Sequence, residues 1–152
     1  PSNLLYAQMA FASCPKLEMD ENIIPNSIIL ANYMFSGAES LTTAYVPASV
    51  KDATSMYENC TNINNVIGLD TTVNIQYLDN MLAGIKHFSM DSLELNHFTN
   101  ASWIGNLLIN TEGTIDKIDI SDSALGITNL LGNSKLKIKT IDFTNNTGNT
   151  KN

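Results

Sequence analysis

The chain of 152 residues has the length of a single domain and is long enough to bury a core without disulfides or metals. Charged residues make up only 15% of it, with eight Lys, no Arg and a net charge of -7, so much of the polar surface must come from uncharged side chains such as its 20 Asn. An acidic chain without guanidinium groups is a poor match for a polyanion, and we therefore expect no nucleic-acid binding.

The N-terminal region lacks the features of a membrane span and of a signal peptide. Its longest uncharged run, residues 22–38, is interrupted by Pro25, Asn26 and Asn32 and falls short of the roughly 20 apolar residues that a spanning helix needs. Residues 4–12 are apolar but follow no basic region and precede no small-residue cleavage site. We expect cytoplasmic synthesis without a signal peptide, no membrane insertion, and a Pro1 exposed by removal of an initiator Met.

A short block recurs along the chain. It consists of an apolar residue, a bulky apolar residue, two small or polar residues, a small residue, and an aliphatic or aromatic residue three or four positions later. The copies are Ala10–Leu17, Met34–Leu41, Met56–Ile63, Met81–Phe88 and two looser ones, Leu107–Ile115 and Leu130–Ile138. Six units with a period in the low twenties indicate a solenoid.

Each unit continues in a similar way. Alternating apolar residues after the block predict short strands at Ala44–Val46, Leu93–Leu95, Ile118–Ile120 and Ile141–Phe143. Apolar residues at helical spacing then predict short helices, with candidate N-caps such as Asn74 and Asn100; the three sets are Ile75/Leu78/Leu82, Ile104/Leu107/Leu108 and Ile127/Leu130/Leu131.

One strand and one short helix in every turn predict an α/β solenoid of the leucine-rich-repeat type. We expect about six turns, with parallel strands on one face and short helices on the other. The single solenoid would span residues 1–143, with the first nine residues or so as an N-terminal cap, and residues 144–152 would form a polar tail. We expect Met34, Phe35, Met56, Met81 and Leu82 to be buried.

The blocks beginning at Met34-Phe35 and Met56-Tyr57 resemble the bacterial surface-protein type (BspA-like) of leucine-rich repeat, in which a Met-Phe-x-x-Cys-x-x-Leu block alternates with a strand. The resemblance covers about residues 10–143 and is weakest in the last two units, which lack the Cys and the Met-Phe pair. It implies the fold and says little about function, because members of the family bind varied partners.

The two cysteines occupy the same slot of the first and third units, with Ala38 in the second. Turns stacked about 4.8 Å apart would place Cys14 and Cys60 roughly 10 Å apart, beyond the reach of a disulfide. We therefore expect two buried, reduced thiols.

Residues that could carry catalysis or bind metal are few. His87 and His97 lie in no metal-binding motif and next to no cysteine, and no glycine-rich phosphate loop is present. Asp116, Asp119 and Asp122 have a spacing that could suit Ca²⁺, but the EF-hand pattern is missing and a solvated face is the favoured interpretation. We expect no enzymatic activity, no metal and no cofactor.

A column of outward-facing strand residues is the favoured binding surface. One residue of each turn lies between two buried strand positions, and stacking aligns these residues in the order Glu21, Tyr45, Ile67, Glu94, Asp119 and Asp142. The alternatives are an ordinary solvated face and a strip, acidic towards its C-terminal end, that meets a Lys-rich or polar partner.

The C-terminal end offers a second candidate surface. Ile138, Ile141 and Phe143 would lack cover within the chain, the polar tail has no apolar residue to hold it, and the end concentrates the lysines Lys135, Lys137 and Lys139. We expect residues 130–152 to dock onto a partner subunit, while Leu4–Ala7 cap the other end.

Two functional classes remain once an enzyme is set aside. The first is a structural or interaction module of a bacteriophage virion, such as a capsid-decoration or tail-associated protein located at the virion surface. The alternative is a bacterial cell-surface adhesin or ligand-binding protein, which the family resemblance implies. The absence of an export signal or anchor in this sequence favours the first.

Overall fold

The computed structural model describes residues 3–20, 23–101 and 103–148, which form a parallel β-solenoid. A 3-10 helix, Leu69–Thr71, lies between the second and third strands. The strands are β1 (Thr43–Tyr45), β2 (Asn65–Ile67), β3 (Phe88–Glu94), β4 (Trp103–Gly105), β5 (Glu112–Asp119), β6 (Gly126–Thr128) and β7 (Lys135–Asp142).

All strand pairs are parallel because each turn brings the chain back in the same direction. Within the part of the chain that the structure describes, the pairing forms three sheets: β1–β2, β3–β5–β7 and β4–β6. A column of single bridges joins Tyr6, Leu30, Asp52 and Tyr77 on another side. The solenoid has about four turns when paired strands and bridges are counted. Segments without regular secondary structure form the remaining hydrogen bonds between successive repeat blocks.

The repeat blocks form a corner with two left-handed residues four positions apart. Examples are Asn80 (φ 55°) with Gly84 (φ 77°), and Asn106 (φ 54°) with Asn110 (φ 58°). Asn tolerates this region better than most residues, so the corners account for part of the high Asn content. Between the left-handed residues the chain makes single turns, such as the one closed by the bond from the Ala83 N–H to the Asn80 carbonyl (3.1 Å).

These corners make the helix predictions wrong. The apolar residues around Leu82, Leu108 and Leu131 are buried or half-buried as expected, but left-handed residues interrupt each set, and a right-handed helix cannot pass through them. The described residues contain almost no helix, so the α/β leucine-rich repeat with six strand-plus-helix turns is not the fold that forms.

The core is a single apolar column along the solenoid axis. Met34, Phe35, Met56, Met81 and Leu82 are all buried, which confirms their prediction. The rings of Phe11, Phe35 and Tyr57 stack at centroid distances of 5.6 and 5.2 Å. The Tyr57 hydroxyl crosses the interior and donates to the Tyr45 carbonyl at 2.6 Å, so this buried polar group is satisfied.

Both cysteines are free, but only one is buried. Cys60 is fully enclosed and its Sγ donates to the Phe35 carbonyl at 3.0 Å, whereas Cys14 is exposed. The prediction of two buried thiols is therefore wrong for Cys14. It lies in the first turn, which has a neighbouring turn on one side only.

The two ends of the stack differ in how their terminal residues are held. At the N-terminal end, Leu4, Leu5 and Tyr6 are 38%, 42% and 61% exposed, whereas Ala7 is buried and Tyr6 pairs with Leu30 of the next turn. At the other end, the described part of the tail is held within the chain. The Asn146 amide donates to the Ile120 carbonyl at 2.9 Å, and the Thr147 N–H to the Ser123 carbonyl at 2.9 Å. The tail residues 149–152 lie outside the described residues.

Candidate functional site: the strand face and the β2–β3 cleft

The strand face carries the predicted column in two aligned segments. Tyr45 is paired with Ile67 between β1 and β2. Glu94, Asp119 and Asp142 are aligned across β3, β5 and β7. The first member of the predicted column, Glu21, lies outside the described residues. The structure therefore brings together the later members as the repeat alignment predicts.

Asp119 is an exception to the expected exposure. It is only 7% exposed, because Lys117 lies two residues earlier on β5 and therefore on the same face. The Lys117 ammonium contacts Asp119 at 2.6 Å and Asp142, on the next strand, at 3.4 Å. Ser121 adds bonds to the Asp119 carboxylate from its N–H (3.0 Å) and its hydroxyl (2.6 Å). The solvated position predicted for Asp119 is wrong.

These contacts fix the charges of the three groups at neutral pH. The Lys117 hydrogen bond, followed by those of Ser121, lowers the pKa of Asp119 to about 2. Hydrogen bonds from Thr144, the largest cause, and from Lys117 lower the pKa of Asp142. The hydrogen bond to Asp119 is the main cause that raises the pKa of Lys117. Lys117 therefore compensates one of the two carboxylate charges in this part of the predicted acidic strip.

A cleft of about 380 Å³ interrupts the strand face between β2 and β3. Its walls are residues 65–70 and 90–94, and we refer to it as the β2–β3 cleft. Hydrogen bonds join the two wall segments at both ends of the cleft. The Ser89 N–H donates to the Asn64 carbonyl (2.9 Å) at one end, and His97 Nε2 bonds the Leu69 carbonyl (2.8 Å) at the other. Between these ties β2 pairs with β1 and β3 pairs with β5, but β2 and β3 do not pair with each other.

Gly68 is the residue at which the chain leaves the strand direction. Its φ is 91°, and a Cβ there would lie 2.4 Å from the Val46 carbonyl oxygen, so only glycine fits. The 3-10 helix follows directly, and the hydroxyls of Thr71 and Thr72 donate to the Gly68 carbonyl at 2.9 and 2.7 Å. The resulting turn carries residues 69–72 out of the strand direction and leaves the cleft open.

A group of three carboxylates lies at this cleft. Asp70, Asp91 and Glu94 line it, and the ion pairs found in the described part of the chain involve other carboxylates. The Ser92 hydroxyl donates to Glu94. Sequence reasoning identified Glu94 but missed Asp70, Asp91 and Lys117. The position of Lys117 two residues before Asp119 was the signal that could have revealed the neutralised pair.

An apolar surface adjoins the acidic one. A second cleft of about 260 Å³ is lined by Tyr45, Ile67 and Gly68, among others, and shares the last two residues with the β2–β3 cleft. Tyr45 is half-buried and Ile67 is 44% exposed. The strand face thus offers an aromatic and an aliphatic side chain next to three carboxylates.

The predicted C-terminal docking residues lie on and beside β7, away from the cleft. Lys135 and Lys139 are largely exposed, with side chains 78% and 74% accessible, and Lys139 pairs with Asp116 at 2.6 Å. Lys137 is also exposed. On the apolar side, Ile141 is half-buried and Phe143 is 48% exposed.

The carboxylates considered for Ca²⁺ have separate partners. Asp116 contacts Lys139, Asp119 contacts Lys117, and Asp122 accepts from the Asn145 amide at 2.8 Å. Within residues 3–20, 23–101 and 103–148, no group of three or more His, Cys, Asp or Glu is placed to hold a metal ion. His97 bonds the Leu69 carbonyl, and its ring centroid lies 4.4 Å from that of Phe98. His87 is exposed.

The described part of the chain contains no helix of the length and hydropathy needed to cross a membrane. In comparisons with known proteins, no family model, no curated protein sequence and no solved structure matches this chain.

Proposed function

We propose that this chain is a non-enzymatic binding module whose strand face holds an extended, lysine-bearing segment of a partner protein. The observation that carries the proposal is the interruption of the sheet at the β2–β3 cleft, where two unpaired strand edges lie beside Asp70, Asp91 and Glu94. Unpaired strand edges bind extended peptides through backbone hydrogen bonds, and neighbouring side chains select the sequence.

Two properties of the face support a cationic partner with an apolar contact. The carboxylates at the cleft have no lysine neighbour within ion-pairing distance in the described chain, so a partner ammonium would meet uncompensated negative charge. Tyr45 and Ile67 lie along the same face and provide the aromatic and aliphatic contacts that anchor many interfaces.

The test is selection from a randomised peptide display library on the immobilised chain. We expect enriched peptides to contain Lys or Arg, to bind more weakly as salt is added, and to lose binding to the double variant Asp91→Asn/Glu94→Gln. The exposed Glu39 lies on the corner side, and Glu39→Gln serves as the matched control. No enrichment, or binding that the cleft variant leaves unchanged, would contradict the proposal.

We propose that the chain belongs to a larger particle, to which residues 130–152 dock. The favoured particle is a bacteriophage virion, in which the chain would be a capsid-decoration or tail-associated protein. Apolar surface exposed at both ends of the stack supports assembly, with Met9 64% exposed at one end and Phe143 48% exposed at the other. The alternative is a bacterial cell-surface adhesin or ligand-binding protein of the BspA-like family, supported by the common register of the Met34, Met56 and Met81 blocks.

Mass spectrometry can distinguish these settings. Detection of the chain in purified virions at a fixed ratio to the capsid protein would support the first, and its release by protease treatment of intact bacterial cells would support the second. Detection only in a soluble cell fraction would contradict both.

A further inference from the structure

The last strand of the three-stranded sheet has one open edge. In the described part of the chain β7 pairs with β5 alone, so its other edge faces no strand. At one end of this edge the Leu136 N–H donates to the Ser134 hydroxyl at 3.2 Å. At the other end the Phe143 carbonyl accepts from the Asn146 N–H at 3.0 Å. The outward backbone groups between these two ends, in residues 137–142, are therefore open to a further strand.

The tail leaves this edge uncovered because it belongs to the same turn as β7. The Asp122 N–H donates to the Thr144 carbonyl at 2.8 Å, and the Thr147 N–H donates to the Ser123 carbonyl at 2.9 Å. The described tail thus stacks on the segment that follows β5, just as β7 stacks on β5 itself. It continues the last layer of the solenoid and does not lie over β7.

The apolar residues of this last layer lack the cover that their counterparts have one turn earlier. Ile115 and Ile118 on β5 are fully buried. Ile138 and Ile141, which are aligned with them on β7, are only half-buried, and Phe143 is 48% exposed. One more strand with apolar residues at matching positions would bury these side chains as β7 buries those of β5.

The exposed charges along the edge belong to lysines at alternate positions, Lys135, Lys137 and Lys139. Lys137 is aligned with the uncharged Thr114 and takes part in no ion pair within the described part of the chain. Lys135 lies 3.8 Å from Glu112, but that carboxylate is also 3.3 Å from Lys86. Two of the three ammonium groups are therefore incompletely compensated and can attract carboxylates of a partner.

The other charges at this edge limit where partner carboxylates can lie. Lys139 already contacts Asp116 at 2.6 Å. Asp142, at the end of β7, is negatively charged and lies 3.4 Å from Lys117. Partner carboxylates are therefore expected opposite residues 135–139 and not beside Asp142. Lysines on an open edge also discourage pairing with a basic strand, which restricts the partner further.

We propose that an extended acidic segment of a partner protein pairs with the open edge of β7, with carboxylates opposite the lysines and apolar residues between them. The segment binds the outward backbone groups as an added strand, and its apolar side chains cover Ile138 and Ile141. The proposal rests on the docking role proposed for residues 130–152 and names the chemistry of the partner that they bind. It differs in site and in charge from the lysine-bearing segment proposed for the β2–β3 cleft.

Binding of labelled synthetic peptides, measured by fluorescence anisotropy, tests the charge pattern. The probe is Glu-Val-Glu-Val-Glu between Gly-Ser flanks, compared with a version that has Lys in place of Glu and with the scrambled Glu-Glu-Glu-Val-Val. We expect the probe to bind and both comparison peptides to bind much more weakly. Lys137→Glu should weaken binding of the probe about tenfold, because it replaces an attraction by a repulsion. Lys51→Glu reverses an exposed charge away from β7 and should leave the affinity unchanged.

Methylation of the backbone nitrogens of the probe tests pairing as a strand. An added strand directs the N–H groups of alternate residues towards β7 and the others away from it. Methylation of the Glu nitrogens or of the Val nitrogens should therefore abolish binding in one of the two peptides and leave it nearly unchanged in the other. Equal effects of the two methylations would overturn the proposal.

Three further outcomes would also overturn it. They are no binding of the probe at millimolar concentration, equal binding of the scrambled peptide, and self-association of the chain that Lys137→Glu abolishes, which would place a second copy at this edge. Circular dichroism verifies the fold of each variant. The cleft variant Asp91→Asn/Glu94→Gln should bind the probe as the wild type does, so failure of this proposal and failure of the cleft proposal are distinguishable.

Discussion

Replacement of Tyr57 by Phe tests whether the interior hydrogen bond between the corner and β1 stabilises the solenoid. The ring of Tyr57 is fully buried, and its hydroxyl donates to the Tyr45 carbonyl at 2.6 Å. Phe would retain the stacking on Phe35 at 5.2 Å but leave that carbonyl without this donor. A buried acceptor that loses its partner costs about 1–3 kcal/mol, so we expect Tyr57→Phe to lower the free energy of unfolding by that amount.

Urea denaturation gives the measurement, with linear extrapolation and an unchanged m-value as the sign of a pure stability effect. In a domain of this size, each kcal/mol of lost stability lowers the melting temperature by about 2–4 °C. The expected loss of about 1–3 kcal/mol therefore lowers the melting temperature by roughly 2–12 °C. Tyr77, which is 56% exposed, provides the matched control, because Tyr77→Phe should change stability by no more than about 0.5 kcal/mol. Equal effects of the two substitutions would refute the assigned role of the Tyr57 hydroxyl.

Three further predictions concern single residues. A thiol reagent should label only the exposed Cys14 in the native chain and both cysteines after denaturation, because burial encloses Cys60 and raises its pKa to about 12; fast native labelling of Cys60 would contradict its burial. Because the pKa of Asp119 is lowered to about 2, its ionised contacts stabilise the fold above the unfolded pKa of about 4 and are lost as pH falls from about 4 towards 2. The stability difference between wild type and Asp119→Asn should shrink over that window, and a difference independent of pH would refute the ion-pair assignment. Gly68→Ala should destabilise more than Gly37→Ala, since both have positive φ but only the Gly68 Cβ would clash, at 2.4 Å against 3.6 Å; equal losses in urea denaturation would argue against the clash.

The sequence was sufficient to predict the solenoid, its parallel strands and the alignment of strand residues within the β1–β2 and β3–β5–β7 sheets. Apolar residues repeat at steps of 22 to 26 residues, and stacking copies of one unit is the way to bury such a repeated apolar edge. The alignment of Glu94, Asp119 and Asp142 follows from the repeat alone, because a fixed step places equivalent residues side by side in a parallel sheet. The burial of Phe35 and Leu82 follows for the same reason.

The structure of the corners could not be obtained from apolar spacing. Residues three and four positions apart point inward from a helix, but also from a turn enclosed by two left-handed residues, as at Asn80 and Gly84. Asn and Gly repeatedly four positions apart were the available signal. It distinguishes the two possibilities only when backbone conformation is considered together with hydropathy.

Tertiary contacts alone decided the electrostatics of the strand face and the position of the cleft. Lys117 neutralises Asp119 because the two side chains share one face of β5, and Asp142 joins them only because β7 lies beside β5. Asp70, Asp91 and Glu94 form no ion pair within the described part of the chain and lie at the β2–β3 cleft. The cleft exists because the close approach of Gly68 to Val46 turns the chain out of the sheet. A sequence determines which residues repeat, whereas the charge that a surface presents depends on distances of a few ångströms between residues from different turns.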